Sequence, residues 1–300
     1  MRIELVNTGT ELVLGDTINT NAAWLGQRLA AFGVTVMRQT IVPDGIAVRE
    51  AMEEAIKRSE VVLVTGGLGP TNDDLSRETA ADLFALPMTQ DDAITAHLTD
   101  FFEKRGKTMS IANLRQAQVP QGAEVLPNPF GTAPGLYFPA EIGAVMGFHC
   151  HVFLLPGPPR ELKPMMENHV EPRLREWLSL GANWRMRYLK VTGVGESDIV
   201  DKVEKDLEAI DGLDLGYCVG KGDVDIRLSG IPEIVEKAGD LVRERLGEFI
   251  VSEDRRVIEE VIVAKLVELG QTVATAESCT GGLIANRITD VSGSSAALCQ

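Results

Sequence analysis

A glycine-rich turn with paired carboxylates is the segment of this chain best suited to chemistry. Its sequence from Thr65 to Asp74 is TGGLGPTNDD, and it joins a β-branched run at residues 61–64 to a helical pattern at residues 78–86. Glycines between a strand and a helix let backbone N–H groups approach an anion, and the helix N-terminus adds a favourable dipole. Two carboxylates beside an anion point to a bridging divalent cation or to a carboxylate that acts as a base. The alternative is a plain tight turn in which an aspartate caps the helix.

Other motifs lie where predicted strands end. NTGTEL starts at Asn7 after a strand at residues 2–6, VPD ends at Asp44 after a strand at 34–42, and PGPPRE follows a strand at 148–155. Helical patterns at residues 22–32 and 47–57 separate the strands, and this alternation predicts a parallel sheet with helices on both faces. Because ligands bind at the carboxyl ends of parallel strands, we expect these motifs to meet at one edge of the sheet.

Together with GDTINTN at residues 15–21 and the proline-rich PNPFGTAPG at 127–135, these motifs resemble the N-terminal domain of the CinA family of competence/damage-inducible proteins. That domain is related to the molybdopterin-binding MoaB/MogA fold, and here it would span residues 1–172. The resemblance implies an α/β fold with a mostly parallel sheet, hydrolysis of ADP-ribose with a divalent metal ion (Mg, Mn or Co), and a homodimer. The alternative is a protein that binds a nucleotide or a molybdopterin without turnover, because both phosphates need the same donors.

Four carboxylates carry the predicted chemistry of this domain. Asp44 and Asp74 match the two acidic positions of the MoaB/MogA relatives and are the predicted catalytic pair. Asp73, Asp74 and Glu161 are the predicted metal ligands, since a hard cation that neutralises phosphate charge is held by carboxylate oxygens. Two alternatives stay open, in which Asp44 is a turn residue and Glu161 caps its helix.

The predicted ligand contacts come from the glycine turns and from small polar side chains. Backbone N–H groups of the first turn and the Thr71 hydroxyl would donate to phosphate, and Asn19 and Asn21 would read the ribose or the base. PNPFGTAPG predicts an ordered loop that crosses the site, because it is too rich in proline for a helix. The predicted ligand-binding residues are Thr10, Glu11, Asn19, Asn21, Gly66, Gly67, Gly69, Thr71, Gly131, Thr132, Ala133, Gly135 and Gly157.

Residues 173–252 predict a second, α+β domain. Strand patterns at 188–191, 213–219, 224–228 and 248–251 are interspersed with helical patterns at 196–207 and 234–246. This order resembles the KH-like middle domain of CinA proteins. The GVGE sequence from Gly193 and the GKGD sequence from Gly220 both end in an acid, whereas the GxxG loop of KH domains clamps a phosphate backbone. We therefore expect a connector domain that binds no nucleic acid.

Residues 253–300 open a third unit. AESCTGG, from Ala276, and VSGSSA, from Val291, resemble the CinA C-terminal domain, which in the family is a nicotinamide-nucleotide amidase. Ser295 matches the family's nucleophilic serine, but the downstream Tyr and Lys that would activate it do not occur before Gln300. We expect a fragment or a naturally truncated domain that is loosely ordered and releases no ammonia from nicotinamide mononucleotide.

The bulk composition narrows the class of partner. The 300 residues carry a formal net charge of −15, which disfavours nucleic acid and anionic membranes because both attract a positive field. MRIE leads directly into a strand and no apolar run reaches membrane-spanning length, so we expect neither a signal peptide nor a membrane partner. The four cysteines lack CxxC spacing, which suits reduced thiols in a cytoplasmic protein. The expected partner is therefore a small nucleotide substrate.

Overall fold

The computed structural model describes residues 1–178, 184–220 and 222–299. The chain divides into two compact units, Met1–Gly181 and Ala182–Gln300. None of the described helices is long and apolar enough to cross a lipid bilayer.

The first unit is an α/β domain built on a mixed six-stranded sheet. The strands of the whole unit are β1 Ile3–Thr8, β2 Val36–Val42, β3 Val61–Thr65, β4 Met88–Gln90, β5 Gln118–Pro120, β6 Glu124–Leu126, β7 Gly135–Phe138 and β8 His151–Leu155. The sheet order is β2-β1-β3-β8-β7-β6, in which β2, β1, β3 and β8 run parallel and β7 and β6 are antiparallel. The mostly parallel sheet confirms the predicted fold class. The antiparallel edge and the separate β4–β5 pair were not predicted.

Helices cover both faces of this sheet, as expected. They are α1 Thr10–Leu14, α2 Thr20–Ala30, α3 Ala47–Arg58, α4 Ser76–Leu83, α5 Asp92–Glu103, α6 Ala140–Ala144, α7 Pro159–Met165 and α8 Glu171–Trp177. One core contains apolar side chains of α3, α4 and α5 with Val62 and Val64, and the other contains those of α2, α7 and α8 with Val61 and Leu63. Strand β3 is buried on both faces, which is why its sequence is an unbroken apolar run.

The helical stretch from Pro159 to Trp177 consists of three segments. A π-helical turn, Met166–Val170, joins α7 to α8. Pro164 lies inside α7 and has no N–H to donate, which interrupts regular i to i−4 pairing. Leu174 of α8 is fully buried in the core of the first unit. The compact unit runs from Met1 to Gly181, and the domain boundary at residue 172 stays a prediction.

The second unit contains an antiparallel sheet with two long helices. Its strands are β9 Arg185–Thr192, β10 Asp214–Val219, β11 Asp223–Gly230 and β12 Ile250–Ser252, in the order β10-β11-β9-β12. Helices α9 Glu196–Glu208 and α10 Pro232–Leu246 pack on it around a core that includes Leu189, Val203 and Val242. This α+β arrangement agrees with the predicted element order. Its likeness to a KH domain stays a prediction, and Lys221 of the GKGD sequence lies outside the described residues.

The described residues after Ser252 belong to the same compact unit and hold a small core of their own. They form α11 Ile258–Leu269, α12 Leu283–Thr289 and a 3-10 turn, Ser294–Ala296. Val263, Ile288 and Ala297 are the buried residues of this core. In place of a strand at residues 272–275, the described residues form a single parallel bridge between Val273 and Leu298. Loose order of this region stays a prediction.

Candidate active site

The parallel strands end together and form one edge of the sheet. Their register pairs Thr8 with Val42, and Thr65 with Leu155, so the loops that follow all leave from the same side. A cavity of about 380 Å³ lies there. It is lined by Thr8, Gly9, Glu11, Asp44, Gly66, Gly67, Leu68, Gly69, Pro70, Thr71, Asp73, Asp74, Gln116, Thr132, Ala133, Pro156, Gly157, Pro158 and Glu161. The structure therefore brings the strand-end motifs together, as parallel topology requires.

The glycine turn leaves a row of unpaired backbone donors on this cavity. Gly66 and Gly67 adopt φ angles of 92° and 67°, a left-handed conformation that glycine adopts without strain. The Ser76 hydroxyl donates to Gly66 O (2.9 Å) and closes the turn onto α4. Among the described residues, the N–H groups of Gly67, Leu68 and Gly69 have no hydrogen-bond partner. Consecutive free N–H groups beside a helix N-terminus favour an anion.

A threonine joins the two aspartates of the same turn. The Thr71 hydroxyl lies in hydrogen-bond contact with Asp73 Oδ1 and 2.5 Å from Asp74 Oδ2, and Thr71 N–H donates to Asp74 Oδ2 (3.0 Å). The hydrogen bond from Thr71, followed by that from its own backbone N–H, holds the pKa of Asp73 below its usual value. The turn thus presents ionised carboxylate next to the free N–H groups, which is the combination expected for a cation bound against a phosphate.

Asp44 is anchored from the neighbouring strand end. Its Oδ2 accepts from Thr10 N (2.9 Å) and from the Thr10 hydroxyl (3.2 Å), so Thr10 orients Asp44 and does not itself line the cavity. The hydroxyl of buried Thr8, which does line it, has no partner within the described parts of the chain. An unpaired buried hydroxyl costs about 1–3 kcal/mol, which a ligand oxygen would offset.

Glu161 also lines the cavity and is held by the proline-rich loop. Its side chain is only 8% exposed, and Oε2 accepts from Asn128 Nδ2 (2.8 Å), which also donates to Ala133 O (2.7 Å). A Cβ on Gly131 would lie 1.9 Å from Glu161 Oε2, so Gly131 gives the carboxylate room and is not a cavity-lining residue. The predicted ordered loop thus crosses the site, with Thr132 and Ala133 facing the cavity.

Besides Thr10 and Gly131, three more predicted ligand-binding residues have structural contacts and do not line this cavity. Asn19 caps α2 by accepting from Ala22 N (2.9 Å), and Asn21 Nδ2 donates to Gly157 O (2.6 Å). Asparagine is a preferred N-cap, so this contact accounts for Asn19 at its position, and a ligand role for it stays a prediction. Gly135 lies in β7, where a Cβ would meet Met165 Sδ at 2.2 Å. Asn21 still helps the site indirectly, because it holds the Gly157 loop in place.

The carboxylates of the cavity are not gathered into a complete metal cage. Among the described residues, no group of three or more His, Cys, Asp or Glu is placed to hold a metal ion. The predicted set of Asp73, Asp74 and Glu161 is therefore not preassembled. The residues still fit a cation of the Mg²⁺ type, which is commonly held by one or two carboxylates and completed by substrate phosphates and water. The free N–H groups of the glycine turn mark where such phosphates would lie.

Sequence reasoning missed two residues that hold these loops together. Arg115 and Gln116 lie in a 3-10 helix, Ile111–Ala117, that follows no strand motif. Gln116 is buried, lines the cavity and donates to the Thr132 hydroxyl (3.1 Å) and to Leu68 O (3.4 Å). These partners are distant in sequence, and an Arg–Gln pair gives no pattern by which the contacts could have been predicted.

Ser295 lies in the second unit. It is exposed in the Ser294–Ala296 turn, and its hydroxyl makes no hydrogen bond with any residue that the structure describes. In the same unit, the Glu277 carboxylate accepts from Ile284 N (2.9 Å) and Ala285 N (2.9 Å) at the start of α12. A serine needs a base to attack an amide, and the described residues place none against Ser295.

Comparison with known proteins agrees with this architecture. Residues 4–176 match a probable molybdopterin binding domain, and residues 255–300 match the CinA C-terminal domain. A CinA-like protein of Akkermansia muciniphila is 45% identical over 296 residues, which cover 98% of this chain and 70% of that protein. A Moorella thermoacetica protein named for competence-damage induction is 42% identical over 303 residues, covering 98% of this chain and 71% of its own length.

A solved structure adds support for the first domain. The protein CinA of Thermoplasma acidophilum is 31% identical and superposes with a TM-score of 0.50, covering 57% of this chain and 96% of that one. The predicted resemblance is thereby confirmed at the level of family and of domain type. The chain belongs to the CinA family, with a first domain of the molybdopterin-binding type and a match to the CinA C-terminal domain over residues 255–300.

Proposed function

We propose that the first domain hydrolyses the pyrophosphate of ADP-ribose with the help of a divalent metal ion, Mg²⁺, Mn²⁺ or Co²⁺. The observation that carries this proposal is the juxtaposition of free N–H groups at Gly67–Gly69 with the Asp73–Asp74 pair in one cavity. An anion-binding turn alone would need no carboxylates. Pyrophosphate cleavage needs both, because charge on the phosphates must be neutralised and a water molecule must be oriented.

Each residue has a distinct task in this mechanism. The N–H groups of the glycine turn, with the Thr8 hydroxyl, would bind phosphate oxygens. Asp73 and Asp74 would hold the metal against those oxygens, and Glu161 faces the same cavity as a third carboxylate. When bound, the metal supplies charge neutralisation and lowers the pKa of coordinated water. Thr10 holds Asp44 Oδ2, and no hydrogen bond from the described residues reaches Oδ1, so Oδ1 would orient the attacking water and accept its proton.

A second candidate is molybdopterin or nucleotide binding without turnover. The match of residues 4–176 to a probable molybdopterin binding domain favours it. A pterin phosphate would use the same donors, so this candidate differs from the first in what happens to the bound ligand. Product formation is the property that separates the two.

The experiment is incubation with ADP-ribose and each metal in turn, followed by chromatography for AMP. We expect AMP only when metal is present, and a loss in Asp74→Asn of about tenfold or more, because this change removes charge from the metal or water site. Asp100→Asn is the matched control, since Asp100 is exposed on α5 and pairs with Lys104. Metal-dependent turnover that is equal in both variants would reject the role of Asp74, and ADP-ribose binding without AMP would favour the binding protein.

Deamidation by the second unit would need a base beside Ser295 that the described residues do not supply. We therefore propose that pyrophosphate hydrolysis, and not deamidation, is the activity of this chain. Ammonia release from nicotinamide mononucleotide would test this directly. Release that Ser295→Ala abolishes would overturn the proposal.

A further inference from the structure

Arg115 donates hydrogen bonds to the backbone of the turn that carries Asp73 and Asp74. Its Nη1 donates to Thr71 O, and its Nη2 donates to Asp74 O (3.1 Å). These two carbonyls bracket the segment that carries both aspartates. One guanidinium, more than forty residues along the chain, thus fixes the backbone of the turn without being among the residues that line the cavity.

A partly buried ion-pair cluster holds Arg115 in this position. Arg115 Nε donates to Glu78 Oε1 (2.9 Å), and the same oxygen accepts from Arg77 Nη2 (2.9 Å). The Arg77 side chain is 2% exposed. Burial raises the pKa of Glu78, but the Arg77 charge and the hydrogen bonds from Arg77 and Arg115 outweigh it and hold that pKa below its usual value. Glu78 therefore stays ionised and orients the guanidinium.

The contacts require the shape of an arginine. A planar guanidinium presents five donors in a fixed fork, so it reaches Thr71 O, Asp74 O and Glu78 Oε1 at once. A lysine keeps the charge but offers one small ammonium on a flexible stem. It cannot meet three acceptors that the arginine reaches through separate nitrogens.

We propose that Arg115 is a positioning residue that holds the Thr71–Asp74 turn in its cation-binding geometry, and that Glu78 acts through it. The inference rests on the proposed function in one respect, because it takes Asp73 and Asp74 as the groups that meet the metal. It does not depend on whether the bound ligand is hydrolysed. Arg115→Lys retains the positive charge but loses the planar fork of donors, so it distinguishes a positioning role from a purely electrostatic one.

The test measures the local order of the turn and its metal requirement in the full chain. In Arg115→Lys we expect faster amide hydrogen exchange in peptides that cover residues 67–76, and about tenfold more Mn²⁺ for half-saturation in the presence of ADP-ribose, read by spin resonance of free Mn²⁺. If AMP is released, saturating Mn²⁺ should restore kcat to near the wild-type value, which a global loss of stability would not allow. Arg105→Lys is the control, since exposed Arg105 also donates to a carbonyl, Phe101 O (3.0 Å).

A second variant keeps the inference testable if Arg115→Lys folds poorly. Glu78→Gln should shift the Mn²⁺ requirement in the same direction, and a requirement equal to that of the wild type would overturn the inference. Where both single variants fold, the double variant should need no more Mn²⁺ than Arg115→Lys alone, because both changes act on one contact. Hydrogen exchange and Mn²⁺ binding in Arg115→Lys that match Arg105→Lys would overturn the inference. An absence of AMP from the wild-type chain, with these shifts present, would reject the proposed hydrolysis and leave the positioning role standing.

Discussion

Gly69→Ala should disable the site while leaving the fold intact. Gly69 does not have a positive φ, so an alanine fits its backbone. The added Cβ, however, would lie 2.4 Å from Asp74 Oδ2 and 2.9 Å from Asp74 Cγ. The Asp74 carboxylate must therefore swing away, since a side-chain end moves more easily than the backbone. The added methyl group thus tests where Asp74 has to be.

The stability cost of this change is small. The displaced carboxylate loses its hydrogen bonds from Thr71 N (3.0 Å) and the Thr71 hydroxyl (2.5 Å), each worth about 0.5–1.5 kcal/mol. Replacing glycine returns about 0.4–1 kcal/mol through the unfolded chain. The free energy of unfolding should therefore fall by about 2.6 kcal/mol at most, which corresponds to a Tm shift below about 10 °C. A catalytic group misplaced by about 1 Å, in contrast, can cost about 100-fold in rate.

The assay pairs AMP release from ADP-ribose with thermal unfolding of the same samples. Gly26→Ala is the control, because its Cβ would meet Gln39 Nε2 at an ordinary 3.6 Å on α2, far along the chain from the turn. We expect that control to gain about 0.5–1 kcal/mol and to keep its activity. Full activity in Gly69→Ala would refute the placement of Asp74, and a large fall in Tm would refute the packing argument.

Three other outcomes are expected. Gly67→Ala should lose at least about 1 kcal/mol in urea unfolding, because its φ of 67° is left-handed and its Cβ would lie 2.3 Å from Ser76 Oγ; an unchanged midpoint would contradict this. Burial lowers the pKa of His151 below 6.5, so the native state resists its protonation and stability is lost as pH falls below about 6.5. Between about pH 7.5 and 5.5, the stability of His151→Gln should fall less steeply than that of the wild type, and an identical fall in both proteins would contradict this expectation. With a net charge of −15, the chain should show no binding of single-stranded RNA by fluorescence anisotropy at physiological salt, and a salt-sensitive micromolar complex would overturn that view.

The edge of the sheet was predictable because strand patterns fix where loops emerge. Once β1, β2, β3 and β8 are parallel neighbours, Asp44 and the Asp73–Asp74 turn must meet, whatever the details of packing. The short antiparallel strands β6 and β7 were not visible, since three or four residues carry too little periodicity.

The roles of single polar side chains were harder to predict. Asn19 and Asn21 can cap a helix, anchor a loop or contact a ligand, and only the folded chain shows that they make the first two contacts. Arg115 was overlooked for a different reason. Its partners at Thr71 and Asp74 are backbone carbonyls more than forty residues away, and such contacts leave no trace in residue type. Sequence patterns thus place elements, whereas the hydrogen bonds between loops depend on tertiary packing.

The central claim is that the cavity at the strand ends breaks a pyrophosphate bond. Phosphorus NMR of ADP-ribose mixed with the full chain and Mg²⁺ tests it most directly, because substrate and products are seen in one sample. We predict that the pyrophosphate signals disappear and that two phosphate monoester signals grow in equal amounts, as AMP and ribose 5-phosphate form. Pyrophosphate signals that broaden on binding but persist, with no monoester, would contradict the account and identify a protein that binds its ligand without cleaving it.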